Sequence, residues 1–148
     1  VCVLPSHHEL VSRDVITPQD IGNSPFISLG HDIPSGKRID EIFNDAGIKR
    51  NMAVETQTAS VACALVAQGA GVAILDPFTA YATRTKGMAI RPFEPPAPFE
   101  FRVIFRSDRP PPRAISRFIE EARNWLAESP LENDPKGYPL ETIIKYQN

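Results

Sequence analysis

Several signatures that would fix a function outright are missing from this chain of 148 residues. It has no GxSxG elbow, no Walker loop, no GxGxxG and no HExxH, so no common hydrolase, phosphate-loop, dinucleotide or zinc-protease chemistry is marked. Ser60, His7 and Asp76 are the residue types of a catalytic triad, but nothing in their spacing supports one. No apolar run approaches the ~20 residues that cross a bilayer, and no stretch reads as a signal peptide. Positive charge is not in excess either: 16 Lys and Arg stand against 18 Asp and Glu, a net charge of −2. Sequence-independent DNA binding needs a concentrated basic surface. The densest basic stretch holds Arg102, Arg106, Arg109 and Arg113, and it is broken by three consecutive prolines and Asp108. It reads as a solvated turn.

Metal and redox signals are equally thin. Cys2 and Cys63 sit in apolar settings without CxxC spacing, as reduced core thiols of a cytoplasmic protein do. His7-His8-Glu9 places two histidines side by side, where they point different ways, and no second His/Cys cluster complements them. His31 is a lone loop histidine. No metal and no cofactor are expected, and no catalytic residue is assigned.

The most informative segment that is present runs from Val54 to Ala80. It reads as strand, polar turn, helix, glycine stop, strand and polar turn. Thr56, Gln57 and Thr58 open the helix with side chains that suit capping of free N–H groups. From Ala59 to Ala67 only Ser60 is polar, so this helix is expected to be covered on nearly every side. Gly69 and Gly71 end it and turn the chain. Val72 to Leu75 is an unbroken apolar run, as in a strand buried on both faces of a parallel sheet. Such a unit sets a helix N-terminus, an anion-friendly site, at the carboxyl end of a strand.

The rest of the chain fits the same plan. Val1 to Leu4 reads as a strand, and a chain that opens there is expected to be a fragment of something longer. Thr17 and Pro18 start a short helix, and Phe26 to Leu29 forms a strand that ends in the loop Gly30 to Gly36. Lys37 to Ala46 is an amphipathic helix with Ile39, Ile42, Phe43 and Ala46 on one face, closed by Gly47. Asn51 to Glu55 and Met88 to Phe93 are strands, with one or two helical turns between Phe78 and Thr85. Phe99 to Arg106 alternates as a half-buried strand. Arg113 to Ala127 is the longest helix, with Ile115, Phe118, Ile119, Ala122, Trp125 and Leu126 on one stripe. Residues 129–148 form a polar, proline-interrupted tail with no assigned structure. Alternating strands and helices predict an α/β domain with a mainly parallel sheet. The strands ending at Leu29, Glu55 and Leu75 run into polar loops, and ligands of open sheets sit outside such ends.

These residues resemble a known family. The strand and turn Val3 to Leu10, the stretch from Glu55-Thr56 to Leu65-Val66 followed by Gly69 to Leu75, and the segment Phe101 to Trp125 look like the second half of the effector-binding domain of a LysR-type transcriptional regulator. Asp76-Pro77-Phe78-Thr79-Ala80 further resembles the octopine and nopaline regulators. The resemblance covers Val1 to about Ala127. It implies a type 2 periplasmic-binding-protein-like fold, with one lobe complete and the other partial. Residues 6–97 are then the second lobe, 1–5 and 99–106 the crossover hinge strands, and 107–128 the C-terminal part of the first lobe. It also implies a small-molecule effector held between lobes, a homodimer or higher oligomer, and DNA contact only through an N-terminal helix-turn-helix absent from this sequence. No membrane contact is implied.

Within that frame Thr56, Gln57 and Thr58 are expected to meet an effector carboxylate, although helix capping explains the same residue types. Ser28 occupies the equivalent strand end. Asp76 could hold a ligand ammonium or guanidinium with Phe78 packed on the aliphatic part, or it could cap the helix at Pro77. A zwitterion, an amino acid or an opine, suits such a site. The alternatives are a solute-binding component of a transport system on the same fold and, third, a small α/β enzyme.

Overall fold

Side-chain alternation along the strands decides how this chain is layered. The computed structural model describes residues 1–97, 102–104, 112–127 and 145–147. The chain divides into two units, Val1–Ala97 and Pro98–Asn148. The first runs β1 (Cys2–Pro5), a 3-10 turn (Glu9–Ser12), α1 (Pro18–Ile21), β2 (Pro25–Leu29), α2 (Pro34–Asp45), β3 (Asn51–Thr56), α3 (Ala59–Ala67), β4 (Ala73–Ile74), α4 (Pro77–Ala82) and β5 (Met88–Arg91).

β2 and β3 pair in parallel, with Leu29 opposite Thr56. β1 lies between β4 and β5 and is antiparallel to both. The two sheets meet at Val72, which bridges Phe26 in parallel. There the Ile27 N–H donates to the Val72 carbonyl, and the Val72 N–H to the Pro25 carbonyl, each at 2.8 Å. The strand order is therefore β3-β2-β4-β1-β5. Gly71 makes the junction possible, since its φ is +155° and a Cβ there would collide with the Pro25 carbonyl oxygen. The sheet is mixed, which corrects the expectation of a mainly parallel one. Val72 to Leu75 is buried as expected, but it is parallel to β2 on one side and antiparallel to β1 on the other.

Successive residues of the central strands face opposite layers. Cys2, Leu4, Phe26, Val72 and Ile74 join Ile39, Ile42, Phe43 and Phe93 in one core. Val3, Ile27, Ala73 and Leu75 join Ala62, Cys63, Val66, Met88 and Ile90 in the other. That explains why these strands are apolar throughout. Each fully buried Ile or Phe contributes about 1.5–3 kcal/mol relative to exposure.

Local chemistry sets the helix ends. Thr17 caps α1 in a capping box: its hydroxyl receives the Asp20 N–H at 3.4 Å, and the Asp20 carboxylate receives the Thr17 N–H at 2.9 Å. α3 stops in a Schellman arrangement, with Gly69 at φ +81° donating to the Val66 carbonyl and Ala70 donating to Leu65. α2 begins at Pro34, three residues before the expected Lys37. Proline suits a first helical position. Gly36, inside the first turn, lies so close to the Gly30 carbonyl that a Cβ could not fit.

α3 differs from expectation in its surroundings. Ala62, Cys63 and Val66 are buried, whereas Ser60, Val61 and Ala64 are exposed, Val61 at 47%. The helix covers one layer of the sheet and leaves an apolar face open.

In the second unit, β6 (Arg102–Ile104) pairs in parallel with β7 (Lys145–Gln147). The expectation of an unassigned tail is corrected there, because an extended segment supplies the backbone partners that β6 needs. α5 (Arg113–Ala127) has the expected bounds. Ile119 is buried, but Ile115 and Phe118 of the same stripe are exposed, Phe118 at 70%. The rest of the expected strand 99–106 and of the tail 129–148 lies outside the described residues.

Candidate functional site

Register brings three loops to one edge. Leu29 pairs with Thr56, and Phe26 with Val72, three residues before Leu29 and Leu75 respectively. The chain thus leaves β2, β3 and β4 at the same end of the sheet, where α2, α3 and α4 begin. This is the edge at which open α/β sheets bind ligands.

The three helix starts are not alike. At α4 the Asp76 carboxylate accepts the Thr79 N–H at 2.7 Å, so this terminus is capped by its own side chain. At α3 the N-cap is Thr58, whose side chain makes no capping bond, and at α2 the N-cap Ile33 has none to offer. Instead the Thr58 N–H donates to Thr56 Oγ1 at 3.4 Å. The expected hydroxyl cap of α3 is therefore absent, and its first-turn N–H groups lack side-chain acceptors among the described residues. Gln57 and Thr58 are exposed and Thr56 is half-buried. The Gly30 N–H donates to the Thr56 carbonyl at 3.1 Å, which ties the loop after β2 to the turn before α3. Across the same edge His31 Nδ1 stands 4.0 Å from Glu55 Oε2.

Ser28 lies buried at the end of β2 and bonds within the protein. It is 4% exposed, its hydroxyl donates to the Leu29 carbonyl at 2.9 Å, and it accepts from Arg50 Nη1 at 3.4 Å. Asp76 spends one oxygen on α4, as the capping alternative held. Phe78 is half-buried one residue into that helix's interior.

Sequence reading passed over Arg50. Its guanidinium lies 5.1 Å from the Phe26 ring centroid and 5.2 Å from that of Phe43, and it pairs with Asp40 of α2. Arg50 thereby fastens α2 to the end of β2. The only available signal was a cation just before a strand, with Asp40 ten residues upstream on an amphipathic helix. His8 takes a structural place too: its Nδ1 accepts the Leu10 N–H at 3.2 Å and caps the 3-10 turn. Among the described residues no group of three or more His, Cys, Asp or Glu could hold a metal ion.

Neither cysteine is poised for chemistry. Burial pushes the Cys2 thiol up to about 12. Burial also raises Cys63, against a hydrogen bond with Thr83, and the nearby Asp76 charge adds to the rise. Among the described residues no helix is long and apolar enough to cross a membrane.

An α/β unit whose strand ends and helix starts converge on one edge is a small-molecule-binding architecture. Comparison with known proteins makes this specific. Residues 1–127 match the LysR substrate binding domain. The transcriptional activator protein LysR of Escherichia coli K12 is 34% identical over 118 residues, covering 80% of this chain and 38% of that protein. The regulatory protein NocR of Agrobacterium tumefaciens T37 is 31% identical over 132 residues, 89% of this chain and 44% of its own length. Among solved structures, the regulatory domain of Synechocystis PCC6803 CcmR, in complex with 2-PG, superposes with a TM-score of 0.63. It has 12% identity and covers 82% of this chain and 59% of the other. The chain belongs to the LysR substrate-binding domain family, and its fold is periplasmic-binding-protein-like of type 2. It spans less than half the length of these two curated relatives. Both are regulators, which leaves the transport alternative without support.

Proposed function

We propose that this chain is the effector-sensing part of a LysR-type transcriptional regulator and that an anionic or zwitterionic metabolite docks where α3 begins. One observation carries this reading: of the three helix starts at the sheet edge, α4 is closed by its own Asp76 carboxylate, whereas α3 keeps unclaimed N–H groups beside Thr56, Gln57 and Thr58. A helix N-terminus with free donors favours a carboxylate or phosphate. Asp76 and Phe78 border that position at the end of β4, and Ser28 supports it through Arg50. The resemblance of Asp76-Pro77-Phe78-Thr79-Ala80 to the octopine and nopaline regulators suits amino acids or opines as the effector class.

The role in a longer protein follows the family. Residues 6–97 act as one lobe, with β1 and the segment 99–106 as the links to another, to which 107–128 return. Effector capture biases the lobes' arrangement, and DNA is met through a helix-turn-helix outside this sequence. The open faces of α3 and β3, with Val61 at 47% and Met52 at 46% exposure, suit pairing of subunits in a cytoplasmic regulator. No catalytic step is assigned.

The test is an NMR titration of the chain with amino acids, opines and simple carboxylates at millimolar concentrations. Amide shifts centred on residues 56–60 are expected, weakened by Thr58→Asp, which supplies the missing cap from within. If no carboxylate moves those amides, the reading fails.

A further inference from the structure

Gly30 follows β2, and its φ is not positive, so backbone conformation does not demand glycine there. Space does. A Cβ on Gly30 would stand 2.5 Å from Asp32 Oδ1 and 2.6 Å from Gln57 Nε2. Two polar side-chain ends from different loops therefore crowd one point, one an acceptor and the other a donor. Both residues are exposed. Neither makes a hydrogen bond or ion pair among the described residues, in contrast to Asp76 and Ser28 at the same edge. Gln57 immediately precedes Thr58, the N-cap that leaves α3 without a side-chain partner.

We propose that Gly30 and Asp32 set the specificity of the effector site: the vacant Cβ position of Gly30 seats the Gln57 carboxamide next to the Asp32 carboxylate, and Asp32 receives the ammonium of an effector whose carboxylate lies at α3. This inference rests on the functional reading above and deepens it. It moves ammonium recognition from Asp76, engaged with Thr79, to an acid with no partner among the described residues. Gly30 is a positioning residue, and Asp32 and Gln57 are the groups that touch the ligand. A free carboxylate beside an amide distinguishes an α-amino acid from the same acid without its amino group, because only the former supplies the N–H donors.

The experiment compares arginine with 5-guanidinovaleric acid, and glutamate with glutaric acid, by NMR titration of the chain and its variants. The native sequence is expected to prefer each amino acid by about tenfold, the worth of one charge-assisted hydrogen bond. Asp32→Asn is expected to erase that preference. Gly30→Ala displaces only flexible side-chain ends, so the melting temperature should hold while amino-acid affinity falls. In a Gln57→Ala background the same Gly30→Ala change should have no further effect on affinity, which a merely structural role would not produce. A preference that survives Asp32→Asn overturns the assignment of Asp32 and leaves the carboxylate site standing. Equal Gly30→Ala losses with and without Gln57 overturn the role of Gly30. Absence of binding by all four acids to the native chain defeats the functional reading itself, and this inference with it.

Discussion

α3 and α4 begin at the same edge of one sheet, each straight after a strand, yet only one is finished by its own residues. Asp76 fills the N-terminus of α4 with a carboxylate. Thr58 leaves α3 to other acceptors. A helix that completes itself has little left to offer a solute, while one that does not keeps donors in reserve. The difference separates a capped terminus from an uncapped one even though both carry residues that favour capping. α1, closed by Thr17 and Asp20, is a third, fully capped start and serves as an internal reference.

Mutations can break or sharpen this contrast. The largest effect is expected at Gly71, whose replacement by Ala strains a φ of +155° and pushes into the Pro25 carbonyl at the junction that aligns the helix starts. A loss of about 3 kcal/mol or more is expected in urea denaturation. Next come the two true caps: Asp76→Ala and Thr17→Ala should each cost about 1 kcal/mol in the same measurement. Thr58→Ala has no capping bond to lose and should fall within about 0.5 kcal/mol of the native chain. A Thr58→Ala loss as large as that of Asp76→Ala would contradict the distinction between the termini.

The reference cap also carries a pH signature. Burial alone would raise the Asp20 carboxyl, but its bonds with Thr17 and the charge of Arg13 more than offset this and hold it below its ordinary value. Its contribution is therefore complete above the usual carboxylate range and is lost as pH falls through the depressed native value. Thermal melts across that acidic window should show Asp20→Asn with a shallower decline than the native chain. The smallest effect concerns the two buried thiols, one on α3 and one on β1. Cys63 and Cys2 should stay inert to thiol reagents until the chain unfolds, whereas Val61→Cys on the open face should react at once.

Much of this was readable in the sequence, for identifiable reasons. Thr17-Pro18, Gly47 and Gly69 act within a few residues of their effects, so they place helix ends correctly. The unbroken Val72–Leu75 run correctly signalled a strand covered on both faces. Strand direction was not legible, because an apolar run looks the same parallel or antiparallel, and β1 enters the sheet reversed. Nor was the environment of α3, since alanine and valine show no polarity that would reveal which side stays open. Ser28 looked free because Arg50, 22 residues away, gives no local sign of its bond. At Asp76, cap and ligand contact call for the same residue type, and only the coordinates show the bond to Thr79.

The central place of β1 has a consequence for biosynthesis. Cys2 to Pro5 take their partners from Ala73–Ile74 and Met88–Arg91. As the nascent chain leaves the ribosome, β1 must wait, apolar and without these partners, while some seventy residues are added before either neighbour exists. Loops and helices in between can form early, but the sheet closes only when the last strand arrives, so chaperone protection during that interval should matter more for this topology than for one whose strands pair in order of synthesis.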